Sequence, residues 1–203
     1  MNEIVLATRN AKKRNEMAAL VAPLGLVVRS LDEFSAVPDV EETGSTFAEN
    51  AALKAGTVAK LIGRWTLADD SGLAVDALDG APGVHSARFA GEHGDDAANN
   101  RKVLELLSAV PDELRGAAFV CHLALADASG EIRLGVEDHC RGRIERELHG
   151  GGGFGYDPLF LVAEYHRTFG QLGPATKNLI SHRARAFAKL LPQLARVMDL
   201  GGR

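Results

Sequence analysis

The 203-residue sequence lacks the features that mark several large classes of protein. It has two cysteines, Cys121 and Cys140, in neither a CxxC pair nor a zinc-like cluster, so we expect reduced thiols rather than a disulfide or zinc site. No apolar run approaches the ~20 residues that span a bilayer. The first residues also lack the basic and then apolar pattern of a secretory signal. We therefore expect no membrane partner and a cytoplasmic location.

A basic excess is missing too, since the formal net charge is −4. Non-specific electrostatic binding of nucleic acid needs a basic face on the protein, so we expect no nucleic-acid partner. The GxxxxGKS/T motif is absent, and the segment where the first strand gives way to a helix carries no GxGxxG, which argues against a standard dinucleotide or P-loop site there. Ser71 lies in no GxSxG elbow, which argues against a serine hydrolase. A small anionic substrate remains compatible with this composition if basic residues converge locally.

The apolar pattern that is present predicts an α/β protein, with residues 1–203 forming one domain. An apolar strand, Ile4–Ala7, precedes a helix from about Ala11 to Val21, and Asn10 is a good N-cap for it. Residues 119–136 alternate on either side of a turn, which predicts an antiparallel hairpin. Strands and helices are interspersed, so we expect a mixed sheet flanked by helices.

Other local signals place the remaining elements. The apolar stripe of the first helix continues to Leu24. Thr46 and Glu49 fit a capping box at the start of a second helix. Trp65–Ala68 reads as a strand, and Ser181 is a good N-cap for the last helix.

The first candidate for chemistry is the segment Thr8-Arg9-Asn10-Ala11-Lys12-Lys13, where a strand gives way to a helix. A helix N-terminus presents free N–H groups and a partial positive charge, which suits phosphate. The alternative is an ordinary capped helix with exposed lysines.

Acidic residues form the second candidate: Glu41, Glu42, Asp69 and Asp70. Adjacent buried carboxylates repel each other, and Mg²⁺ commonly bridges one or two carboxylates to substrate phosphates. The alternative is one aspartate that caps a turn beside one that is solvated. Lys54 lies near the apolar side of the second helix, so it either extends to solvent or points into a polar cleft.

Two further candidates lie in the second half of the chain. Residues 149–157 form a glycine-rich loop in which Phe154 could stack on a base, unless the loop is merely a flexible surface segment. Lys177 precedes His182 and Arg183, which fall in the first turn of the last helix. Cations oppose the helix dipole there, and an anionic or carbonyl-bearing ligand would offset that cost. The alternative is an exposed, charged helix start.

The order of these motifs resembles the inosine/xanthosine triphosphate pyrophosphatase family, which removes deaminated purine nucleotides. The resemblance extends from near residue 4 to near residue 195. The matching stretches are Thr8-x-Asn10-x-x-Lys13, Glu42-Thr43-Gly44, Phe47-x-Glu49-Asn50-Ala51-x-x-Lys54-Ala55, Ala68-Asp69-Asp70-Ser71-Gly72-Leu73, Gly80-Ala81-Pro82-Gly83 with Ser86-Ala87-Arg88, Gly153-Phe154-Gly155-Tyr156-Asp157-Pro158, and Lys177 with Ile180-Ser181-His182-Arg183. One departure is Arg9, at a position where the family often has a small residue.

The resemblance implies an elongated α/β fold of two lobes with a central cleft, a homodimer and a Mg²⁺ cofactor. It implies that Glu42 and Asp70 bind the metal with Asp69 close by, and that Asp70 is the catalytic base. The base edge would be read by Lys177, His182 and Arg183. The implied substrate-binding set, for a purine nucleoside triphosphate, is Thr8, Arg9, Asn10, Ala11, Lys12, Lys13, Lys54, Ser71, Phe154, Gly155, Tyr156, Asp157, Lys177, His182 and Arg183.

The expected reaction is hydrolysis of ITP, dITP or XTP to a monophosphate and pyrophosphate. Two other functions stay open on the sequence: a non-catalytic purine-nucleotide sensor, and a phosphohydrolase for other modified nucleotides. The presence of both Asp69 and Asp70 argues against the sensor, because binding alone does not need a base.

Overall fold

A computed structural model of the chain describes residues 3–22 and 25–198, so Leu24 lies outside the described residues. The strands are β1 (Glu3–Leu6), β2 (Val27–Ser30), β3 (Thr66–Val75), β4 (Gly116–Ala126), β5 (Ile132–Ile144), β6 (Phe160–Val162) and β7 (Arg167–Thr168). The helices are α1 (Ala11–Val21), α2 (Phe47–Ile62), α3 (Asp96–Leu106), α4 (Pro174–Ile180) and α5 (His182–Val197). No helix among the described residues is long and apolar enough to cross a membrane.

The strands form one mixed sheet in the order β2-β1-β3-β4-β5-β6-β7. β1 runs parallel to β2 and β3, whereas β6 is antiparallel to β5 and β7. β4 and β5 are neighbours joined by only five residues, 127–131, which requires an antiparallel hairpin. The predicted mixed α/β sheet and its hairpin are therefore confirmed.

The chain divides into two compact units. Unit 1 draws its residues from Met1–Asp70, Cys121–Asp138 and Arg183–Arg203, and unit 2 from Ser71–Val120 and His139–His182. The predicted single domain, elongated shape and central cleft stay predictions.

In unit 1 the alternation of β3 separates two apolar clusters. Leu67 belongs to a cluster with residues of α1 and α5, whereas Ala68 packs with residues of α2. Because successive strand residues point to opposite faces, Asp69 shares the face of Leu67, and Asp70 shares that of Ala68. The apolar pattern thus fixes which helices each aspartate meets.

One sequence prediction needs correction here, and one cap prediction can be checked directly. β3 does not end at Ala68 but continues through both aspartates to Val75. Thr46 does cap α2, since its hydroxyl accepts the Glu49 N–H. The Glu49 carboxylate accepts the backbone N–H of Ser45 at 2.7 Å, and hydrogen bonding from Ser45, and also from the Thr46 backbone, lowers its pKa, as a capping box requires.

Unit 2 is built on an aromatic core. Phe119 lies 4.6 Å from Phe160 and 6.0 Å from Phe169 between ring centroids. Beside this core the buried Arg115 guanidinium donates to the carbonyls of Leu107 and Ile144, and also to that of Glu145. These bonds fix the end of β5, from which the glycine-rich segment departs.

Candidate functional site

The turn between β1 and α1 is organised by Asn10. Its side-chain oxygen accepts the N–H groups of Lys12 and Lys13, at 3.0 and 3.1 Å, which confirms the predicted N-cap. Thr8 accepts the Asn10 N–H at 3.2 Å. Two of the N–H groups at this helix start are therefore used by the cap, so a phosphate bound there would rely on side-chain donors as well. Ala11 is the first helical residue.

Asp69 is the centre of a buried charge cluster in unit 1. Its carboxylate lies 3.0 Å from Arg183 and 3.3 Å from Lys13. Arg183 also pairs with Glu16, and the side chains of Arg183 and Asp69 are each only 1% exposed. Burial alone would raise the pKa of Asp69, but Lys13 and Arg183 outweigh it, so the pKa is held far below its usual value. Asp69 is thus a permanent anion with its cations in place.

Asp70 lies in a different setting, against α2. It accepts a hydrogen bond from Asn50 at 3.1 Å and lies 3.4 Å from the Lys54 ammonium. Lys54 also contacts Glu42 at 2.6 Å. Burial raises the pKa of Asp70, Lys54 opposes that shift, and Glu42 adds to it; the net direction is upward. This carboxyl is therefore more basic than an ordinary aspartate.

Lys54 is held between these two carboxylates. Burial would lower its pKa, but the charges of Asp70, Asp69 and Glu42 outweigh burial and raise it. Of the two alternatives for Lys54, the structure shows the polar one, because its ammonium meets carboxylates on the sheet side of α2 instead of extending freely into solvent.

Glu42 and Asp70 suit a divalent cation that prefers oxygen ligands. Their carboxylates already converge on one positive charge, that of Lys54. Among the described residues no group of three or more His, Cys, Asp or Glu could hold a metal by itself. Magnesium does not need such a cage, since it usually takes one or two carboxylates together with substrate phosphate oxygens. The donor set therefore fits a magnesium ion shared with a substrate.

Two residues of this cluster were not assigned to the site from the sequence. Asn50 is fully buried and joins Asp70 to the Gly44 N–H, which its side-chain oxygen accepts at 2.7 Å. Glu16 supplies the second carboxylate for Arg183. Helical spacing gives a signal for both, because Asn50 lies four residues before Lys54 and Glu16 three after Lys13; Asn50 also lies within the matching stretch Glu49-Asn50-Ala51.

In unit 2 the glycine-rich loop folds around Asp157. The Asp157 carboxylate accepts the Phe154 N–H at 2.8 Å and pairs with Lys177 at 2.7 Å. The Lys177 ammonium also lies 4.5 Å from the centre of the Phe154 ring. Gly153 has φ +75°, and a side chain there would overlap with Asp157. The aromatic ring and the ammonium are thus held together by one carboxylate.

The rest of this loop is anchored to its own unit. The Gly155 N–H donates to Asp96 at 2.8 Å, and its carbonyl accepts from Asn100 at 2.8 Å. The Tyr156 hydroxyl donates to the Ser86 carbonyl. Residues 153–157 are therefore fixed at several points, which argues against the alternative of a flexible surface segment. Asn100 was not expected from the sequence.

The start of α5 divides between the units. The buried His182 ring stacks on Phe119 in unit 2, with centroids 4.9 Å apart and an angle of 15°. Arg183, the next residue, belongs to unit 1. Ser71 lies half-buried within β3 in unit 2.

The predicted residues that come together form three groups. In unit 1, Lys13, Asp69 and Arg183 meet on one face of β3, and Glu42, Lys54 and Asp70 meet on the other. In unit 2, the group is Phe154, Asp157 and Lys177.

Comparison with known proteins matches the chain to one family. The Ham1 family model matches residues 4–193. A dITP/XTP pyrophosphatase of Rhodopirellula baltica is 52% identical over 98% of this chain and 96% of its own length. Another from Desulforamulus reducens is 53% identical over 96% of each chain. A HAM1 protein structure from Coxiella burnetii superposes with a TM-score of 0.88 at 46% identity, covering 97% of this chain and 100% of that one. The chain therefore belongs to the Ham1 family.

Proposed function

We propose that this protein hydrolyses deaminated purine nucleoside triphosphates, namely ITP, dITP and XTP, to the monophosphate and pyrophosphate. The observation that carries the proposal is the convergence of Glu42, Asp70 and Lys54, which joins two oxygen donors and a cation in one place. Relatives about half identical over nearly the whole chain are dITP/XTP pyrophosphatases.

Magnesium is the cofactor we propose, held by Glu42 and Asp70. When bound, it would neutralise the triphosphate and polarise the phosphoryl oxygens. Asp69 is already paired with Lys13 and Arg183, so it would contribute a nearby negative charge rather than act as the principal ligand of the magnesium ion.

Asp70 is the proposed general base. Its raised pKa makes it a better proton acceptor than an ordinary aspartate. The Lys54 and Lys13 ammonium groups would stabilise the charge that grows on the leaving pyrophosphate. Thr8, Asn10 and Lys12 would complete the phosphate contacts at the start of α1.

Base recognition is assigned to unit 2. Phe154 offers a ring for stacking, and the Lys177 ammonium beside it is a donor suited to the 6-carbonyl of hypoxanthine and xanthine. Adenine carries an amino donor at that position, so a site built from donors would reject it strongly. His182 and Arg183 would add donors at the base edge, as the family resemblance implies. Arg183 is held by two carboxylates, Glu16 and Asp69, whereas Lys177 pairs with Asp157 and lies beside the Phe154 ring, so we assign the larger share of base selection to Lys177.

One assay tests the reaction. The protein is incubated with Mg²⁺ and ITP, XTP, GTP, ATP or UTP, and pyrophosphate and orthophosphate are measured separately. We expect pyrophosphate from ITP and XTP and little from ATP. Orthophosphate release would instead indicate another phosphohydrolase, and nucleotide binding without turnover would indicate a sensor.

A homodimer, implied by family resemblance, is proposed as the assembly, and sedimentation velocity checks it.

A further inference from the structure

Arg9 does not point its charge into open solvent at the phosphate-binding turn. Its Nε donates to the Asp39 carboxylate at 2.8 Å, and its Nη2 donates to the Val37 carbonyl at 2.6 Å. Its Nη1 lies 3.7 Å from Asp32. One guanidinium therefore joins the β1–α1 turn to three points of the segment between β2 and α2.

The geometry leaves little of the Arg9 charge for a phosphate. Two carboxylates already lie within ion-pair distance, and one backbone carbonyl takes a further N–H. Arg14 is engaged in the same way, by Asp32 and Ser30. The Lys13 ammonium, by contrast, pairs with Asp69 of β3.

The segment that Arg9 contacts carries Glu42. No helix or strand forms from Phe34 to Thr46, so its backbone depends on side-chain contacts. Val37 is buried in the α2-side apolar cluster, and Gly44 is tied to Asn50. Glu42 lies between these two attachments. Movement at residues 37–39 would therefore move the Glu42 carboxylate relative to Lys54 and Asp70.

We propose that Arg9 is a positioning residue that holds residues 37–42 so that Glu42 faces the magnesium site. This inference rests on the proposed function for the role of Glu42. It assigns Arg9 a task different from direct phosphate binding, and it makes Asp39, which is 87% exposed, its working partner. The pair joins the phosphate-binding turn to the metal-binding segment.

The test compares Arg9→Lys with Asp39→Asn. Lysine keeps the charge but cannot donate at once to Asp39 and Val37 as the guanidinium fork does. We expect each variant to raise the Mg²⁺ concentration for half-maximal ITP hydrolysis by about three- to tenfold, the range for a partly exposed, forked contact. The double variant should be no worse than either single one, and KM for ITP at saturating Mg²⁺ should stay near wild type.

A direct phosphate role for Arg9 gives the opposite pattern. Arg9→Lys would then be mild, and Asp39→Asn would free the arginine and lower KM for ITP; either result overturns the proposal. Arg133→Lys is the matched control, because Arg133 is a similarly exposed arginine that pairs with Asp127 and Glu131 in unit 1, at the β4–β5 turn. It should change neither quantity.

A second readout needs no substrate or metal. Backbone amide hydrogen exchange of residues 39–43 should accelerate in metal-free Arg9→Lys and Asp39→Asn and stay unchanged in Arg133→Lys. Unchanged exchange in the first two variants would refute the positioning role whatever the activity. If wild-type protein releases no pyrophosphate from ITP, the proposed function is rejected. Faster exchange of residues 39–43 in Arg9→Lys and Asp39→Asn would still establish the Arg9 contact in that case.

Discussion

Asp69 and Asp70 are neighbours in β3 whose carboxylates contact different helices and whose pKa values shift in opposite directions. Asp69 meets Lys13 of α1 and Arg183 of α5, and its pKa is lowered. Asp70 meets Asn50 and Lys54 of α2, and its pKa is raised, chiefly by burial. The alternation of one strand thus produces a permanent anion and a candidate base from two identical side chains.

Replacement of Asp70 by asparagine should separate activity from stability. We expect kcat for ITP to fall by about 10²–10⁴, the usual worth of a general base. The free energy of unfolding should not fall, because burial already disfavours the ionised form of Asp70. Pyrophosphate release and urea unfolding measure the two effects. Near wild-type turnover would remove Asp70 from the mechanism.

Replacement of Asp69 by asparagine should chiefly destabilise the fold. Removal of one partner from a buried ion pair costs about 3–5 kcal/mol, because the other charge is left buried. Here Arg183, 1% exposed, would keep only Glu16 as its carboxylate partner among the contacts described. Urea unfolding at pH 7 measures this loss. A change below 1 kcal/mol would contradict the structural role.

The same variant has a definite pH dependence. Because the folded-state pKa of Asp69 is depressed, its contribution is complete above the unfolded value of about 4 and is lost as pH falls below it. The stability difference between wild type and Asp69→Asn should therefore be constant from pH 5 upward and shrink in acid. A difference that grows in acid would show the sign to be wrong.

The separation of the two aspartates could not be predicted from the sequence. Aspartate is depleted in strands, which is why the sequence signal for β3 ends at Ala68. Tertiary contacts override that propensity, since Lys13, Arg183 and Lys54 neutralise the charges within the strand. Local signals were sufficient for the Asn10 and Thr46 caps, because capping depends on neighbours in sequence. Long-range charge partners leave no such local pattern.

The pKa of Asp70 should respond to Glu42. The Glu42 charge raises that pKa, so Glu42→Gln should lower it in metal-free protein. A carboxyl-resolved NMR titration measures it directly, with an aspartate of the β4–β5 turn, Asp127, as an internal reference. An Asp70 pKa that does not change, or that rises, in Glu42→Gln would contradict the observed proximity.

Arg115 should be essential to the stability of unit 2. Lysine at this position cannot reach all three carbonyls that the guanidinium satisfies, and each buried acceptor left unpaired costs about 1–3 kcal/mol. We expect Arg115→Lys to lose about 2–4 kcal/mol in urea unfolding. Arg143→Lys, on an exposed arginine of β5, serves as the control and should stay within about 0.5 kcal/mol. Equal effects would show that the carbonyl contacts contribute little.

The glycine-rich loop illustrates what composition leaves undetermined. Consecutive glycines predict close backbone approach but not which of them is essential. Only the folded loop distinguishes the two glycines. Gly153 has φ +75°, and a Cβ there would overlap with Asp157. A Cβ at Gly151 would meet no atom of the described residues within 4 Å. The sequence therefore located the loop, and the three-dimensional contacts distinguish its members.

Alanine substitutions at these two glycines test the base site. Gly153→Ala would force a side chain against the Asp157 carboxylate, which accepts the Phe154 N–H and pairs with Lys177. Loss of one charge-assisted hydrogen bond is worth about 1.5–3 kcal/mol, so kcat/KM for ITP should fall at least about tenfold. Gly151→Ala should leave kcat/KM unchanged, because it meets no such contact and Gly151 has no positive φ. Steady-state kinetics with ITP compare the two, and equal values would show that the Asp157 contacts do not position Phe154 and Lys177 for the purine.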